Sequence, residues 1–375
     1  MSISQIRRTN KLSRRLSLLS EAITRVGASR PVFFPYKSTL SHPAFSELKE
    51  HPPIRYCNRR KARLLHLVEG GTSSNPDVPQ IIEIIDHALS VNASLMSFPR
   101  EPVEYVKRVE LAKDYYLSEN VRRILLISNG QLEKFRWYFP HDEILRKCQI
   151  VPLSWHDNTT IGRGTLHPRE LTVLCIASNF VTKGVAIILK AWESVVQRCP
   201  EAKLILVSHD IPHSTEQDLS HSVEVVKEIP LKPDTKRALY ARASVVIAFT
   251  LTDGVTAIEA TSYGKPIVVS RTQHSKDFVD NQNGVEIPLP LNVYDVEHYG
   301  ATWRTKRQYE EAVAHYLALG KFDSSIEALA DALVEYQRNP TLLERHRQNA
   351  VEKYYRDHVV TRRNHDLVRL YEELL

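Results

Sequence analysis

Two segments of the sequence place a charged or polar loop between a buried strand and a helix start, an arrangement that can bind an anion. The first reads ASNFVTKG over residues 177–184 and follows an apolar run. Helix N-termini present free N–H groups and the positive end of the helix dipole, and Lys183 adds a full charge there. Gly184 would let a ligand approach the backbone. An ordinary surface lysine is the alternative interpretation.

The second segment reads TLTDGVTAIEATSYGKP over residues 250–266. Asp253 and Gly254 fall in the predicted turn, and Glu259 lies one turn into the predicted helix. The N–H groups of Gly254–Ala257 would lack intrahelical acceptors and suit a diphosphate. Carboxylates suit sugar and ribose hydroxyls instead. The alternative is that Asp253 caps the helix while Glu259 faces solvent.

The elements that must position these residues alternate between strand and helix from about residue 171 to 290. Such alternation predicts βαβ units, a parallel sheet and an α/β fold. The N-terminal half alternates less cleanly. Short strands are predicted there at 31–36, 62–68, 79–85, 93–98, 123–128 and 149–153. The polar, turn-rich stretch 154–169 predicts a linker, and helices follow from 306 with a break near Pro340.

Length and composition limit the class of protein. A chain of 375 residues predicts about two domains. Its 42% hydrophobic and 25% charged residues exclude a disordered or collagen-like chain. The four cysteines have no CxxC spacing, which argues against a cysteine zinc site and for a reducing compartment. With no apolar run long enough for a membrane span and no secretory signal, we expect a cytoplasmic protein.

The positive charge is concentrated at the N-terminus. The chain has a net charge of +6, and residues 1–30 hold seven basic residues against Glu21, so they carry all of it. Apolar residues recur there at helical spacing. A basic amphipathic helix of this kind can lie on an anionic membrane surface. It could equally pack its apolar face on the domain. No nucleic-acid partner is expected, because no recognised nucleic-acid motif accompanies the charge.

Several common motifs are absent. No G-x-G-x-x-G follows a strand, and no G-x-x-x-x-G-K-[ST] occurs, which argues against nicotinamide and P-loop sites. His209 and His213 have a spacing that could chelate a metal on a helix, but Pro212 between them favours a loop. We therefore expect neither a metal nor a cofactor.

The two anion-binding segments together resemble the retaining glycosyltransferases of family four, which have the GT-B fold. The resemblance rests on LTVLCIASNFVTKGVAIILKAWESVVQRCPEAKLILVS, on TDGVTAIEATSYGKPIVVS with DNQNGVEIPL after it, and on the C-terminal YYRDHVVTRRNHDLVRLYEELL. It covers residues 120–290 and 325–375 and is poor over 1–75. It implies two Rossmann-like domains facing each other across a cleft, with C-terminal helices crossing back to the first domain.

The implied domain boundaries divide the chain into four parts. An acceptor-side domain spans residues 1–155 and a linker spans 156–170. A nucleotide-sugar-binding domain spans 171–355, and a returning helix spans 356–375.

The resemblance also implies a role for each site residue. Lys183 would neutralise the donor diphosphate, Glu259 would hold the ribose hydroxyls, and Asp253 would contact the donor sugar. His87 resembles a first-domain histidine that lies near the reacting carbon, although a surface or capping histidine is its alternative. The donor site is completed by loop residues around these side chains, namely Ser178, Asn179, Gly184, Gly254, Val255 and Thr256.

The implied reaction moves a sugar from a UDP- or GDP-linked donor to an acceptor hydroxyl with retention of configuration. The acceptor would be a glycan, a lipid-linked molecule or another hydroxyl compound, in polysaccharide or glycoconjugate synthesis. The protein would work in the cytoplasm, with peripheral attachment to the membrane as an option.

Two departures from the family pattern keep other functions open. Asp253 and Glu259 are six residues apart, two fewer than the family's acidic pair, and Ser178 stands where an arginine is usual. Arg271 or Lys265 could supply the missing positive charge. The departures favour a catalytically degenerate GT-B subunit that binds or scaffolds a partner. A sugar-nucleotide epimerase or a phosphorylase on the same fold is the other alternative.

Overall fold

The computed structural model describes the chain in thirteen ranges. They are residues 30–33, 54–56, 62–68, 77–84, 102–162, 170–177, 180–181, 183–228, 230–249, 255–272, 275–280, 282–290 and 306–375.

The first half of the chain forms a six-stranded sheet in which all paired strands are parallel. The spatial order is β2-β1-β3-β4-β5-β6. The strands are β1 Arg30–Phe33, β2 Ile54–Tyr56, β3 Leu64–Val68, β4 Gln80–Ile84, β5 Val121–Leu126 and β6 Cys148–Ile150. The strand predicted at 93–98 lies outside the described residues.

The second half forms another six-stranded parallel sheet, with the order β12-β11-β10-β7-β8-β9. The strands are β7 Thr172–Ile176, β8 Lys203–Val207, β9 Val223–Val226, β10 Val245–Ala248, β11 Ile267–Ser270 and β12 Gly284–Ile287. The central strands are runs of Val, Ile and Leu buried on both faces, as parallel strands covered by helices must be.

Helices connect the strands and cover the sheets. In the first half they are α1 Pro102–Leu117, α2 Asn129–Tyr138, α3 Asp142–Lys147 and α4 Thr159–Gly162. In the second half they are α5 Val185–Arg198, α6 His213–Gln217, α7 Pro233–Arg242, α8 Thr256–Ser262 and α9 Ser275–Phe278. The C-terminal helices are α10 Lys306–Ala318, α11 Asp323–Arg338, α12 Pro340–Asp357 and α13 Val360–Leu374.

The predicted break near Pro340 is where α11 ends and α12 begins. Asn339 accepts the N–H of Leu342 on its side chain, and Pro340 occupies the first helical position. Proline is favoured at this position because its missing N–H would have no acceptor there. The polar stretch predicted as a linker contains the short helix α4.

The last helix returns to the first half of the chain, as the resemblance implied. Trp155 pairs with Val359 in an isolated parallel bridge, and its N–H donates to the carbonyl of His358 at 3.0 Å. Leu367 and Leu370 of α13 share one buried cluster with residues of both sheets. The path of the chain therefore links the two halves twice, once before β7 and once after α12.

Buried charges fasten α13 to the first sheet. The Arg363 guanidinium pairs with the Glu83 carboxylate of β4 and donates to the carbonyl of Val151 at 3.0 Å. His66 of β3 lies 3.0 Å from the other Glu83 oxygen and 2.5 Å from the Tyr371 hydroxyl. Burial alone would raise the pKa of Glu83, but Arg363 and His66 lower it. Breaking such a buried pair costs about 3–5 kcal/mol, so α13 is held firmly.

Candidate functional site

The two segments predicted to bind an anion follow neighbouring strands of the second sheet. β7 and β10 pair directly, with Val173 beside Val245 and Cys175 beside Ile247. From β7 the chain continues to β8 and β9 on one side, whereas β10 leads to β11 and β12 on the other. The strand order therefore reverses between β7 and β10. Ligands of open α/β sheets bind outside the carboxyl ends of the strands at such a reversal.

The first segment leads into α5 through a left-handed residue. Gly184 is the N-cap of α5 with a φ of 61°, a conformation that favours glycine. Its N–H donates to the carbonyl of Val181 at 2.9 Å, and the N–H of Val185 donates to Phe180 at 3.0 Å. These two N–H groups are satisfied within the loop, so the expectation of free amides does not apply to them.

The two segments touch each other at Gly184. A Cβ atom added to Gly184 would lie 2.7 Å from Cδ1 of Phe249, the residue that follows β10. Phe249 is buried, so its ring has little room to move away. The start of α5 and the end of β10 are therefore in van der Waals contact, and a ligand at one junction would also face the other.

Lys183 is partly buried next to this contact. Its positive charge acts on the Cys175 thiol in the neighbouring strand β7. Burial raises the pKa of this thiol to about 12, and Lys183 opposes the shift. The Lys183 charge therefore acts at the carboxyl end of the sheet, where the diphosphate was predicted.

Asp210 holds the first loop from the neighbouring strand. It follows β8, and its carboxylate accepts the N–H of Phe180 at 3.0 Å and the Ser208 hydroxyl at 3.1 Å. Asp210 was not among the site residues predicted from the sequence. The signal was available, because Asp210 is a polar residue just after a strand that pairs with β7.

Glu259 lies on α8 and is 6% exposed, so it does not face solvent. One carboxylate oxygen is 2.8 Å from the ammonium of Lys236, and the other accepts the Tyr240 hydroxyl at 3.2 Å. Burial raises the pKa of Glu259, while Lys236 and both hydrogen bonds oppose the shift. The alternative of a solvated glutamate is wrong.

Aromatic rings lie next to the ion pair of Glu259 and Lys236. The rings of Tyr240 and Tyr263 stack with 4.2 Å between centroids and 3° between planes. The Lys236 ammonium lies 5.9 Å from the ring centroid of Trp155, within the range of a cation–π contact. Glu259 is thus linked through Lys236 to the segment that joins the two halves of the chain.

The described residues include some predicted donor-site positions and not others. Val255 accepts the N–H of Glu259 on its carbonyl at 2.9 Å, and Thr256 begins α8. The positions outside the described residues are His87, Ser178, Asn179, Asp253 and Gly254.

Both cations proposed as substitutes for the missing arginine already have partners within the protein. Lys265 is fully buried and donates to the carbonyls of Gly162 at 2.8 Å and Ala243 at 2.6 Å. That lysine therefore serves the backbone and not a phosphate. The Arg271 guanidinium pairs with Glu286 at 2.8 Å on the partly exposed edge of the sheet.

The two halves also meet through Asp277 of α9. Its carboxylate accepts the N–H of Gly130 at 3.2 Å and the side-chain amide of Asn129 at 3.1 Å. A carboxylate at the start of α2 is favoured by the helix dipole.

The described part of the chain was also compared with the requirements of a membrane span and of a metal site. No helix there has the length and apolarity needed to cross a membrane. Within the same residues, no group of three or more His, Cys, Asp or Glu side chains could hold a metal ion.

Comparison with known proteins finds a family match in the second half of the chain. Residues 170–296 match a family model described as "Glycosyl transferases group 1". No curated protein sequence matches the chain. The matched range contains both junctions, β7 to α5 and β10 to α8.

Solved structures share the fold at low sequence identity. HepE of Anabaena in complex with UDP is 11% identical and aligns with a TM-score of 0.50 over 92% of this chain and 100% of its own. A TarM mutant of S. aureus, in complex with fondaparinux, alpha-GlcNAc-glycerol and UDP, is 13% identical and aligns with a TM-score of 0.55. That alignment covers 82% of this chain and 55% of TarM, so the chain spans about half the length of TarM. The fold is GT-B, as the resemblance implied.

Proposed function

We propose that this protein transfers a sugar from a nucleotide-diphosphate sugar to an acceptor hydroxyl with retention of configuration. The observation that carries the proposal is the contact of Gly184 with Phe249, which joins the two junctions at the reversal of strand order. The match of residues 170–296 to group 1 glycosyltransferases supports it. UDP is the nucleotide in the HepE and TarM structures, which favours a UDP-linked donor over a GDP-linked one.

In this proposal the chain's own charges carry the chemistry. Lys183 and the dipole of α5 stabilise the negative charge that gathers on the diphosphate as the glycosidic bond breaks. Glu259 accepts the ribose hydroxyls. Asp253 contacts the donor sugar, and His87 approaches the reacting carbon from the first domain. The reaction as proposed needs no metal.

The acceptor would bind on the first half of the chain, and closure of the two halves would exclude water that otherwise hydrolyses the donor. A glycan, a lipid-linked molecule or another hydroxyl compound would fit the role in polysaccharide or glycoconjugate synthesis. The basic residues 1–30 favour an acceptor at an anionic membrane surface.

A second candidate is a catalytically degenerate subunit that binds or scaffolds a partner. It is favoured by the shortened spacing of Asp253 and Glu259 and by Ser178. The engagement of Lys265 with two carbonyls adds to it, because that lysine does not replace the missing arginine.

Nucleotide release from a panel of UDP- and GDP-linked sugars, with and without acceptors, separates the two candidates. A transferase releases nucleotide from one donor only when an acceptor is present, and proton NMR of the product gives the anomeric configuration. A degenerate subunit releases none. Release without any acceptor, or an inverted product, contradicts the proposal.

A further inference from the structure

We propose that Lys236 is a positioning residue for the donor site, where it holds the Glu259 carboxylate ionised and in a fixed orientation. This inference rests on the proposed function, in which Glu259 accepts the ribose hydroxyls. Lys236 was not among the predicted site residues, and it belongs to α7 rather than to either junction.

The geometry shows that Lys236 reaches inward to the carboxylate. The Lys236 side chain is 30% exposed, while the Glu259 side chain is 7% exposed, and their charged atoms are 2.8 Å apart. Tyr240, one helical turn after Lys236, donates to the other carboxylate oxygen at 3.2 Å. Two donors on one face of α7 therefore fix both oxygens of a carboxylate that belongs to α8.

Each donor is itself held in place. Tyr240 is fully buried and stacks on Tyr263 with nearly parallel rings. The Lys236 ammonium lies 5.9 Å from the Trp155 ring centroid. Trp155 is fixed by the hydroxyl of Tyr354, which donates to its carbonyl at 2.8 Å. These contacts restrict the rotamers of Lys236 and Tyr240, the two side chains that bind the Glu259 carboxylate.

Lys236 also affects the charge of the Glu259 carboxyl group. A carboxylate accepts hydroxyl hydrogen bonds more strongly than a neutral carboxyl group does. Burial favours the neutral form of Glu259, and Lys236 is the cation that opposes it. The other groups that face this carboxyl are the phenols of Tyr240 and Tyr263, which cannot carry a positive charge, and burial raises their pKa values and so keeps them neutral. Removing the Lys236 charge therefore raises the pKa of Glu259 further.

The test is the pH dependence of UDP affinity, measured by calorimetry between about pH 5.5 and about pH 8.5. In Lys236→Met the pKa of Glu259 rises, so UDP binding weakens on the acid side, where the carboxyl group of the variant is neutral and that of the wild type is still ionised. The difference in UDP affinity between Lys236→Met and the wild type becomes smaller at high pH, because Glu259 is ionised in both proteins there. Protonation of the UDP phosphates affects all variants equally, so it does not contribute to the difference between them. Lys236→Arg keeps the charge and restores the wild-type profile.

Lys232→Met is the matched control, because Lys232 lies one turn earlier and is 82% exposed. It leaves the profile unchanged. In a Glu259→Gln background, Lys236→Met has no further pH-dependent effect. Should Lys236→Met fail to fold, Lys236→Gln keeps a hydrogen-bond donor without the charge and shows the same shift of the acid limb.

The outcomes separate this inference from the proposed function. If the wild type binds neither UDP nor GDP, the proposed function is wrong and the inference with it. If the wild type binds and Lys236→Met has the same affinity and pH profile, only the role of Lys236 is wrong. A uniform loss of affinity at every pH, not restored by arginine, also contradicts it.

Discussion

At the scale of single residues, the charges of the candidate site come from two different arrangements. Lys183 lies at the carboxyl end of the second sheet, just before the start of α5, where its charge acts on the Cys175 thiol. Glu259 is buried, and its charge is balanced by Lys236. A cation at the carboxyl end of the sheet is suited to a negative charge that develops on a bound diphosphate, whereas a buried and paired anion is suited to recognising neutral hydroxyls.

Replacement of Lys183 tests the first of these roles. Lys183→Ala is expected to lower sugar transfer about 100-fold or more, because one group that stabilises the leaving diphosphate is removed. Initial rates of nucleotide release measure the effect. Lys190→Ala, at an exposed position of α5, is the control. Turnover like that of the wild type in Lys183→Ala would remove Lys183 from the mechanism.

At the scale of elements, the site depends on the close approach of two strand-to-helix junctions. Gly184 allows this approach because it has no side chain and adopts a positive φ. Asp210, after the neighbouring strand, anchors the other end of the same loop through Phe180. The junction is therefore built by three adjacent strands and not by the loop sequence alone.

Gly184→Ala tests the contact between the junctions. It is expected to cost about 1–2 kcal/mol of stability from the left-handed backbone alone. The clash with Phe249 adds to this cost and displaces the loop, so UDP affinity falls as well. Gly320→Ala is the matched control, since Gly320 has a φ of 66° and its Cβ would meet only the end of the Asp323 side chain. Thermal unfolding and calorimetry measure the two effects, and equal UDP affinity in both variants would contradict the contact's role.

Local sequence was enough to predict most of the elements. The strands β7, β8, β10 and β11 are runs of Val, Ile and Leu, and their hydrophobicity is visible without tertiary information. The break at Pro340 follows from the chemistry of proline. Each of these features depends on residues a few positions apart, which is the range over which sequence patterns are informative.

The candidate site was predicted only in part, because its polar partners are distant in sequence. Lys183 and Glu259 stood out as a lysine before a helix and an acid within one. The pairing of Glu259 with Lys236 joins residues of different helices, and Lys236 lies on a helix that is largely polar. Lys265 was expected to be available to a phosphate, but the buried carbonyls of Gly162 and Ala243 required a donor.

At the scale of the whole molecule, the two halves are joined by the crossing of Trp155 and the turn between α12 and α13. His358 lies at this crossing, fully buried, with its Nδ1 2.9 Å from the carbonyl of Leu153. Asp277 adds a further contact between the halves at the start of α2. The relative position of the halves therefore depends on a few buried polar contacts near the middle and the end of the chain.

This crossing predicts a loss of stability in acid. Burial lowers the pKa of His358 from its usual 6.5 to about 4, so the folded protein binds this proton less readily than the unfolded chain. The contribution of neutral His358 to the free energy of unfolding is fully present above pH 6.5 and is lost as the pH falls toward 4. Between pH 7 and 4.5 the loss is about 2 kcal/mol.

Denaturant unfolding at several pH values checks this prediction. His358→Gln is expected to flatten the acid limb of the stability profile. His365→Gln is the control, because His365 is largely exposed on α13. An unchanged pH dependence in His358→Gln would assign the acid sensitivity to other groups.

The central claim is that the diphosphate of a nucleotide-sugar donor binds at the carboxyl ends of β7 and β10. A crystal structure of the protein with bound UDP tests it most directly. The account predicts the diphosphate beside Lys183 and Gly184 and the ribose beside Glu259. A nucleotide bound elsewhere, or no binding at millimolar UDP and GDP (about 4 kcal/mol of affinity), would contradict it.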